Sequence, residues 1–468
     1  MPNAGGGDLS LAPGSALAGA GDPAAVQGGE LDLGGNARSS ACTGTPAAVT
    51  NIEAYETATP QCPAPPPTGN SIGGLTQLSG AGNCVTGDTT AASGCGTAQV
   101  PGLTGGTATY PSPQDMVVSP DGRNVYTVGE DPSGNGIDVA EFARGAGGLQ
   151  QLPAPNNCIS SGSSAASGCG TGNVTALDYP SAGFTSQPVA EAARLAISPD
   201  GKSVYVDAGA VIDEFTRDPV TGALTEMGAG NCIEENNADS SCAYQNQGGI
   251  APPAALVVSP DGKGVYLATL NNCAFAAFRG LGARAQNPNC NNGRPQYFAQ
   301  ADVAVFKRDT ATGALAPATP ACYANSTYTP GGCTTTGLEG LYGITSLAIS
   351  PDGRNVYVTS ERGANAGSLS ADPGEITELQ RDPATNALTQ MTGAGACVTA
   401  GSGCGGADAG TNGAAGLIEP QQIVISPDGV NAYVTSAQYE GGSTGVNTGT
   451  LVASTVTQLA RDPATGAL

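Results

Sequence analysis

An all-β fold, a β-propeller of four-stranded antiparallel blades, is the class this sequence predicts, and three observations predict it. The phrase "SPDG" recurs from Ser119, Ser198, Ser259, Ser350 and Ser426. A second phrase follows it in fixed order: "RDPVTGAL" from Arg217, "RDTATGAL" from Arg308, "RDPATNAL" from Arg381 and "RDPATGAL" from Arg461. The composition agrees, since 71 Gly and 34 Pro among 468 residues oppose long helices.

Each SPDG follows an apolar run ("MVV", "LAI", "LVV", "IVI") and precedes a second one carrying Tyr126, Tyr205, Tyr266, Tyr357 or Tyr433. Pro fixes φ early in the turn, Asp bonds its own backbone and Gly accepts a positive φ, so strand, tight turn, strand is expected. The alternating runs "VIDEFTRD", "DVAVFKRD", "EITELQRD" and "TVTQLARD" supply a third strand. "DPxTG" is then a second turn, leading to a fourth strand such as "GALTEM" or "NALTQM". Four antiparallel strands repeated around an axis make a propeller.

SPDG spacings of 79, 61, 91 and 76 exceed the roughly 40–45 residues such a unit needs, and the surplus falls mostly after the fourth strand. Near the N-terminus "NIEAYETA", "GGLTQLSGAGNC" and "DLSLAPGSALAGAG" read as a worn copy. The expectation is therefore six units, or seven if the chain is incomplete. Residues 1–84 form a degenerate first blade with a Gly-rich segment, and residues 85–468 five SPDG blades. The last phrase stops at Leu468, so "TVTQLARD" is expected to expose an edge. Residues 1–40 would cover it, a neighbouring chain would by strand addition, or the missing strand lies beyond an incomplete chain.

The 14 cysteines fall as sequence neighbours: Cys42/Cys62, Cys84/Cys95, Cys158/Cys169, Cys232/Cys242, Cys273/Cys290, Cys322/Cys333 and Cys397/Cys404. Even number and local pairing indicate disulfides and an oxidising, extracellular setting. Zinc is disfavoured because the chain has no CxxC and no His. No apolar run reaches the roughly 20 residues of a membrane span. The first residues lack both the basic and the apolar region of an ordinary signal peptide, so export is expected to need a leader absent here or another route. A formal charge of -23 repels phosphate backbones and argues against nucleic acid as a partner.

The ordered set of SPDG, "VYV", "RDPxTGALT" and connector cysteines resembles secreted bacterial lactonase-like propellers with YVTN repeats. The resemblance covers roughly residues 70–468. It implies the fold, and it implies either sugar-lactone hydrolysis or a surface role without a reaction. Acid–base residues near a central channel belong to the first reading, but the His among them has no counterpart in this chain. There is also no GxSxG elbow and no phosphate loop after a strand.

Candidate sites follow from what remains. Four residues before each SPDG serine stand Asp115, Arg194, Ala255, Ser346 and Gln422. Asp115 and Arg194, with Glu191, are the candidate catalytic cluster, against the alternative of an ion pair at the channel mouth. "DPSGNGID" offers oxygens at Asp131, Ser133, Asn135 and Asp138, as calcium would want, but Phe142 stands where an EF-hand needs Glu. A polar hairpin loop is the competing reading, and no other cofactor is expected. The insertion from Asn271 to Phe298 concentrates Phe275, Phe278, Arg279, Arg284, Arg294, Tyr297 and Phe298. Arg and aromatics are enriched at binding hot spots, so this is the candidate partner surface. The expected function is a secreted, disulfide-stapled propeller that binds a protein or cell-surface partner without catalysis. The alternative is a lactonase-like hydrolase using channel carboxylates and Arg.

Overall fold

Every SPDG turn closes on itself in the same way. The Asn124 N–H donates to Ser119 Oγ at 2.9 Å while the Gly122 N–H donates to the Ser119 carbonyl at 2.8 Å. The same two bonds recur at Ser198, Ser259, Ser350 and Ser426. The turn glycines, Gly122, Gly201, Gly262, Gly353 and Gly429, share φ between 66° and 73°, which a side chain would strain.

The computed structural model describes residues 40–41 and 48–49 and most of 84–468. Segments 178–192, 271–300, 361–373, 401–410 and 441–449, with shorter stretches of the connectors, lie outside the described residues. The chain forms two compact units, Met1–Gln77 and Leu78–Leu468. In the first, β1 (Ser40–Ala41) pairs antiparallel with β2 (Ala48–Val49).

The second unit carries five sheets. Blade one holds β3 (Asp115–Val118), β4 (Asn124–Glu130), β5 (Ile137–Gly145), β6 (Gly148–Gln151) and β7 (Cys158–Ser160). Blade two holds β8 (Arg194–Ile197), β9 (Ser203–Asp207), β10 (Val211–Arg217), β11 (Leu224–Glu226) and β12 (Cys232–Glu234). Blade three holds β13 (Pro253–Val258), β14 (Gly264–Leu270), β15 (Ala301–Arg308), β16 (Leu315–Asn325) and β17 (Thr334–Leu338). Blade four holds β18 (Ile344–Ile349), β19 (Asn355–Ser360), β20 (Glu375–Arg381), β21 (Leu388–Gln390), β22 (Cys397–Thr399) and β23 (Thr411–Asn412). Blade five holds β24 (Pro420–Ile425), β25 (Asn431–Glu440) and β26 (Thr450–Ala460).

The first strands of successive blades, β3, β8, β13, β18 and β24, lie side by side and form the inner layer. The core fills the wedges between blades: Val128, Val139 and Ile159 of blade one, for example, pack with Leu195, Val206 and Phe215 of blade two.

Two expectations change. The described residues contain five blades, and the count of six is not supported. The three N-terminal phrases read as a worn copy lie almost wholly outside the described residues. The outer strand also differs from a single fourth strand followed by a loop. In blades one, two and four the fourth strand is short, and the cysteine segment rejoins the same edge of the third strand, as β10 pairs with both β11 and β12. Blade three fuses the two into the 11-residue β16, with a bulge opposite β15. The connector then returns parallel to the cysteine strand, at Ile159/Thr171, Ile233/Tyr244, β16/β17 and β22/β23.

Disulfides clasp that return. Cys84–Cys95, Cys158–Cys169, Cys232–Cys242 and Cys322–Cys333 join the predicted neighbours, and Cys397 is also disulfide-bonded. The remaining predicted cysteines, Cys42, Cys62, Cys273, Cys290 and Cys404, lie outside the described residues.

Candidate functional site

The inner strands bring the sequence-predicted pair together and employ it between blades. Asp115 at the start of β3 accepts the Leu195 N–H of β8 at 3.1 Å and the Met116 N–H at 2.8 Å. Arg194 donates from Nε to the Ala254 carbonyl of β13 at 2.7 Å. Burial raises the Asp115 carboxyl, with the two N–H bonds and the nearby Arg194 charge opposing it. Thr345 continues the stitching by donating to the Pro420 carbonyl of blade five at 2.7 Å. Glu191, the third member, lies outside the described residues. Bonds from side chain to backbone between neighbouring inner strands are thus what Asp115 and Arg194 supply.

A second polar system answers to the "RD" phrase. Arg217, at the end of β10, reaches back across the wedge to the SPDG turn of the preceding blade. It donates to Tyr126 Oη at 2.8 Å, Asp121 Oδ2 at 2.9 Å and Asn124 Oδ1 at 2.6 Å, and to its own blade's Gly201 carbonyl at 3.1 Å. Tyr126 in turn donates to the Gly222 carbonyl in the "DPVTG" turn at 2.6 Å. The same latch joins Arg308 to Asp200 and Tyr205, Arg381 to Asp261 and Tyr266, and Arg461 to Asp352 and Tyr357. All four guanidinium side chains are at most 2% exposed.

Within the latch a pair of positions trades residues. Where the "DPxTG" turn has glycine (Gly222, Gly313, Gly466), the facing residue is Asn124, Ser203 or Asn355. Where the turn has Asn386, at φ 68°, the facing residue is Gly264. The Arg contact survives in each arrangement, from Arg217 to Asn124, Arg308 to Ser203, Arg461 to Asn355 and Arg381 to Asn386. A Cβ on Gly264 would lie 2.7 Å from Asn386 Oδ1. We expect Gly264→Asn and Asn386→Gly each to lower the urea midpoint. The double exchange should recover most of the loss, because it recreates the arrangement of the other blades. Additive losses in that cycle would refute the trade.

Buried carboxylates form a third system. Glu141 accepts the Leu224 N–H at 2.8 Å, Glu214 the Leu315 N–H at 3.1 Å and Glu378 the Leu468 N–H at 3.2 Å, each across to the following blade. Burial pushes all three up to about 8, with the backbone bond opposing. Blade three has Val305 in place of this Glu, and there Tyr323 Oη accepts the Leu388 N–H at 2.8 Å.

For the candidate calcium loop, the structure brings Asp131 close enough to Asp138 for its charge to add to burial in raising Asp138 to about 7. Ser133 and Asn135 lie outside the described residues. Among the described residues no group of three or more acidic or cysteine side chains is arranged to hold a metal.

The candidate binding residues Phe275, Phe278, Arg279, Arg284, Arg294, Tyr297 and Phe298 also lie outside the described residues. Their stem does not. Leu270 of β14 pairs with Ala301 of β15, so the insertion springs from the hairpin opposite the SPDG turn, at the disulfide end of the blade.

Sequence reasoning missed the latch and the buried glutamates. The available signal was the Arg of each "RD" phrase beside an equally regular Asp and Tyr one unit earlier. The Glu three residues before Arg144, Arg217 and Arg381 was equally visible.

Together the five antiparallel sheets and their adjacent inner strands define a β-propeller. No family model and no curated protein matches the chain. Solved structures do. Hydrazine synthase of Kuenenia stuttgartiensis is 14% identical over 71% of this chain and 57% of its own, with a TM-score of 0.35. A protein of unknown function from Desulfotomaculum acetoxidans is 12% identical over 74% and 71%, with a TM-score of 0.37. The periplasmic gluconolactonase of Pseudomonas aeruginosa is 15% identical over 75% and 89%, with a TM-score of 0.30. This chain therefore spans a little over half of the hydrazine synthase chain. Among the described residues no helix is long and apolar enough to cross a membrane.

Proposed function

We propose that this protein is an extracellular, disulfide-stapled propeller that serves as a rigid binding module, with the connector end of its blades as the recognition end. The observation that carries this reading is the use made of the inner-strand polar groups. Asp115 and Arg194, the best candidates for acid–base work, are spent on joining neighbouring strands. The disulfides clasp connectors that have little core of their own, which suits an oxidising compartment. The basic, aromatic insertion is rooted at that same end and contrasts with the overall charge of -23. It suits an acidic protein or cell-surface partner.

A hydrolase of lactone-like substrates is the second reading. Asp115 favours it, being a raised carboxyl beside a guanidinium on an inner strand. One paired experiment separates the two. A variant with Leu270 joined to Ala301 through a two-residue turn is expected to fold and to lose binding to intact cells, while the full chain leaves γ- and δ-lactones unhydrolysed. Lactone turnover that Asp115→Asn abolishes would instead establish the hydrolase. Undiminished cell binding by the deletion variant would remove the insertion from the recognition surface.

A further inference from the structure

Blade one gathers oxygen atoms at its connector end. Asp138 of β5 lies opposite Ser160 of β7, so the two side chains stand together on one face of the sheet. Asp131, just beyond β4, borders the same hydroxyl: a Cβ built on Gly162 would lie 3.3 Å from Asp131 Oδ2 and 3.5 Å from Ser160 Oγ. Ser161 Oγ donates to Asp131 Oδ2 at 3.1 Å. The Gly136 carbonyl closes the hairpin by accepting the Asp131 N–H at 2.9 Å. A Cβ on Gly136 would collide with Ser161 Oγ and lie 2.8 Å from the Leu177 carbonyl oxygen. Two carboxylates, two hydroxyls and a carbonyl thus meet on residues that are all buried.

Within this group Asp138 lacks an answer to its charge. It is 0% exposed, and neither carboxylate oxygen has a hydrogen bond. Ser160 favours its charged form without reaching bonding geometry, while burial and then the Asp131 charge raise the carboxyl to about 7. Asp302 in β15 and Glu375 in β20 hold the same place, six residues before the latch Arg, and each of them has a partner. A buried carboxylate without a donor is met either by a proton or by a metal ion. The second carboxylate and the bordering oxygens favour the ion here.

The donor set is all oxygen. The chain has no His, and its described cysteines are all disulfide-bonded, so the set suits a hard cation rather than zinc or copper. Calcium accepts oxygens in flexible geometry and completes its shell with water, whereas magnesium demands a near-ideal octahedron.

We propose that Asp131 and Asp138, with Ser160 beside them, bind a calcium ion that ties the cysteine strand β7 to the end of β4 and the start of β5. With two carboxylates rather than three, the affinity belongs to the weak range of extracellular modules, a dissociation constant of about 0.1–1 mM. Without calcium, Asp138 cancels its charge with a proton. The ion steadies the connector end of blade one beside the Cys158–Cys169 disulfide, whatever that end recognises.

The test compares urea midpoints of the full chain, stripped with EDTA and then given excess CaCl2 or the same concentration of MgCl2. At a charge of -23 any divalent cation stabilises the fold by screening, and magnesium measures that share. Calcium should raise the midpoint beyond magnesium, half-maximally between about 0.1 and 1 mM, and Asp138→Asn should remove the excess. Asp131→Asn should reduce the same excess, and it decides the matter if Asp138→Asn does not fold. Amide exchange of the wild type needs no variant: calcium should slow Ser161 and Gly162 and leave Ala400, in the place of Ser161 in blade four, unchanged. Equal effects of calcium and magnesium, a calcium excess that survives both variants, or unaltered exchange at Ser161 and Gly162 would each overturn the inference and leave Asp138 with its proton.

Discussion

Replacing Arg381 by Ala is expected to destabilise the protein by about 3–5 kcal/mol, the cost typical of removing one partner from a buried charge pair. The guanidinium serves five groups at once: Tyr266 Oη at 2.7 Å, Asn386 Oδ1 at 2.6 Å, the Gly353 carbonyl at 2.9 Å, Asp261 at 2.9 Å and Ser259 Oγ at 3.2 Å. Its side chain is 0% exposed, so water cannot replace these bonds without opening the wedge between blades three and four. Asp261, whose carboxyl is held below its ordinary value against burial by the Ser259 hydroxyl, the Lys263 N–H and then Arg381, would lose its counter-charge. Arg381→Lys should recover less than half of the loss, because an ammonium cannot span the five acceptors in one fork. The exposed Arg123→Ala should stay within about 0.5 kcal/mol. Urea denaturation of the three variants decides it, and equal effects for Arg381→Ala and Arg123→Ala would refute the latch as a stabilising device.

The latch also shows where the sequence was legible and where it was not. SPDG declared its turn because each residue has a local duty, and the five turns formed as expected. Strand order followed from the same local logic. "RDPxTGAL" was read just as locally, as a hairpin, yet the duty of its Arg lies about 100 residues away, at Asp121 for Arg217 or Asp261 for Arg381. Periodicity within a strand carries no trace of such a contact. Pairing two phrases across consecutive units does, as does the exchange of Gly and Asn between 264 and 386. Blade number was less legible: "DLSLAPGSALAGAG", read as a worn copy, has no Tyr and no Asp after its Pro, and it lies outside the described residues. The candidate site was legible as a pair, Asp115 with Arg194. Its employment was not, since which backbone group each side chain faces depends on the stagger between adjacent inner strands.

Stability is expected to peak near pH 4 to 5 and to fall on both sides. The alkaline limb comes from Glu141, Glu214 and Glu378, whose folded carboxyls titrate at about 8 because burial disfavours the charged form. An unfolded Glu titrates near 4.3, so between roughly pH 4.3 and 8 the folded state binds more protons, and stability declines as pH rises. Asp138, raised to about 7 by burial, and Asp213, raised well above its ordinary value by burial and the Glu226 charge, act in the same direction. The acid limb has the opposite sign. Asp121 is held at about 2, chiefly by the Ser119 hydroxyl, and Asp200 and Asp352 also lie below the ordinary value, where hydrogen bonds and Arg308 or Arg461 outweigh burial. Their contribution is complete above about pH 4 and is lost as pH falls through their folded values. Glu214→Gln isolates one group. Gln can accept the Leu315 N–H without a charge, so the variant should resemble the wild type near pH 4.5 and exceed it at pH 8 by a few kcal/mol. Each tenfold difference in proton affinity between the folded and unfolded carboxyl is worth about 1.4 kcal/mol. Urea midpoints from pH 3 to 8 test this. A wild-type midpoint that climbs from pH 5 to 8, or a Glu214→Gln profile parallel to the wild type, would mean that the inter-blade glutamates fold ionised.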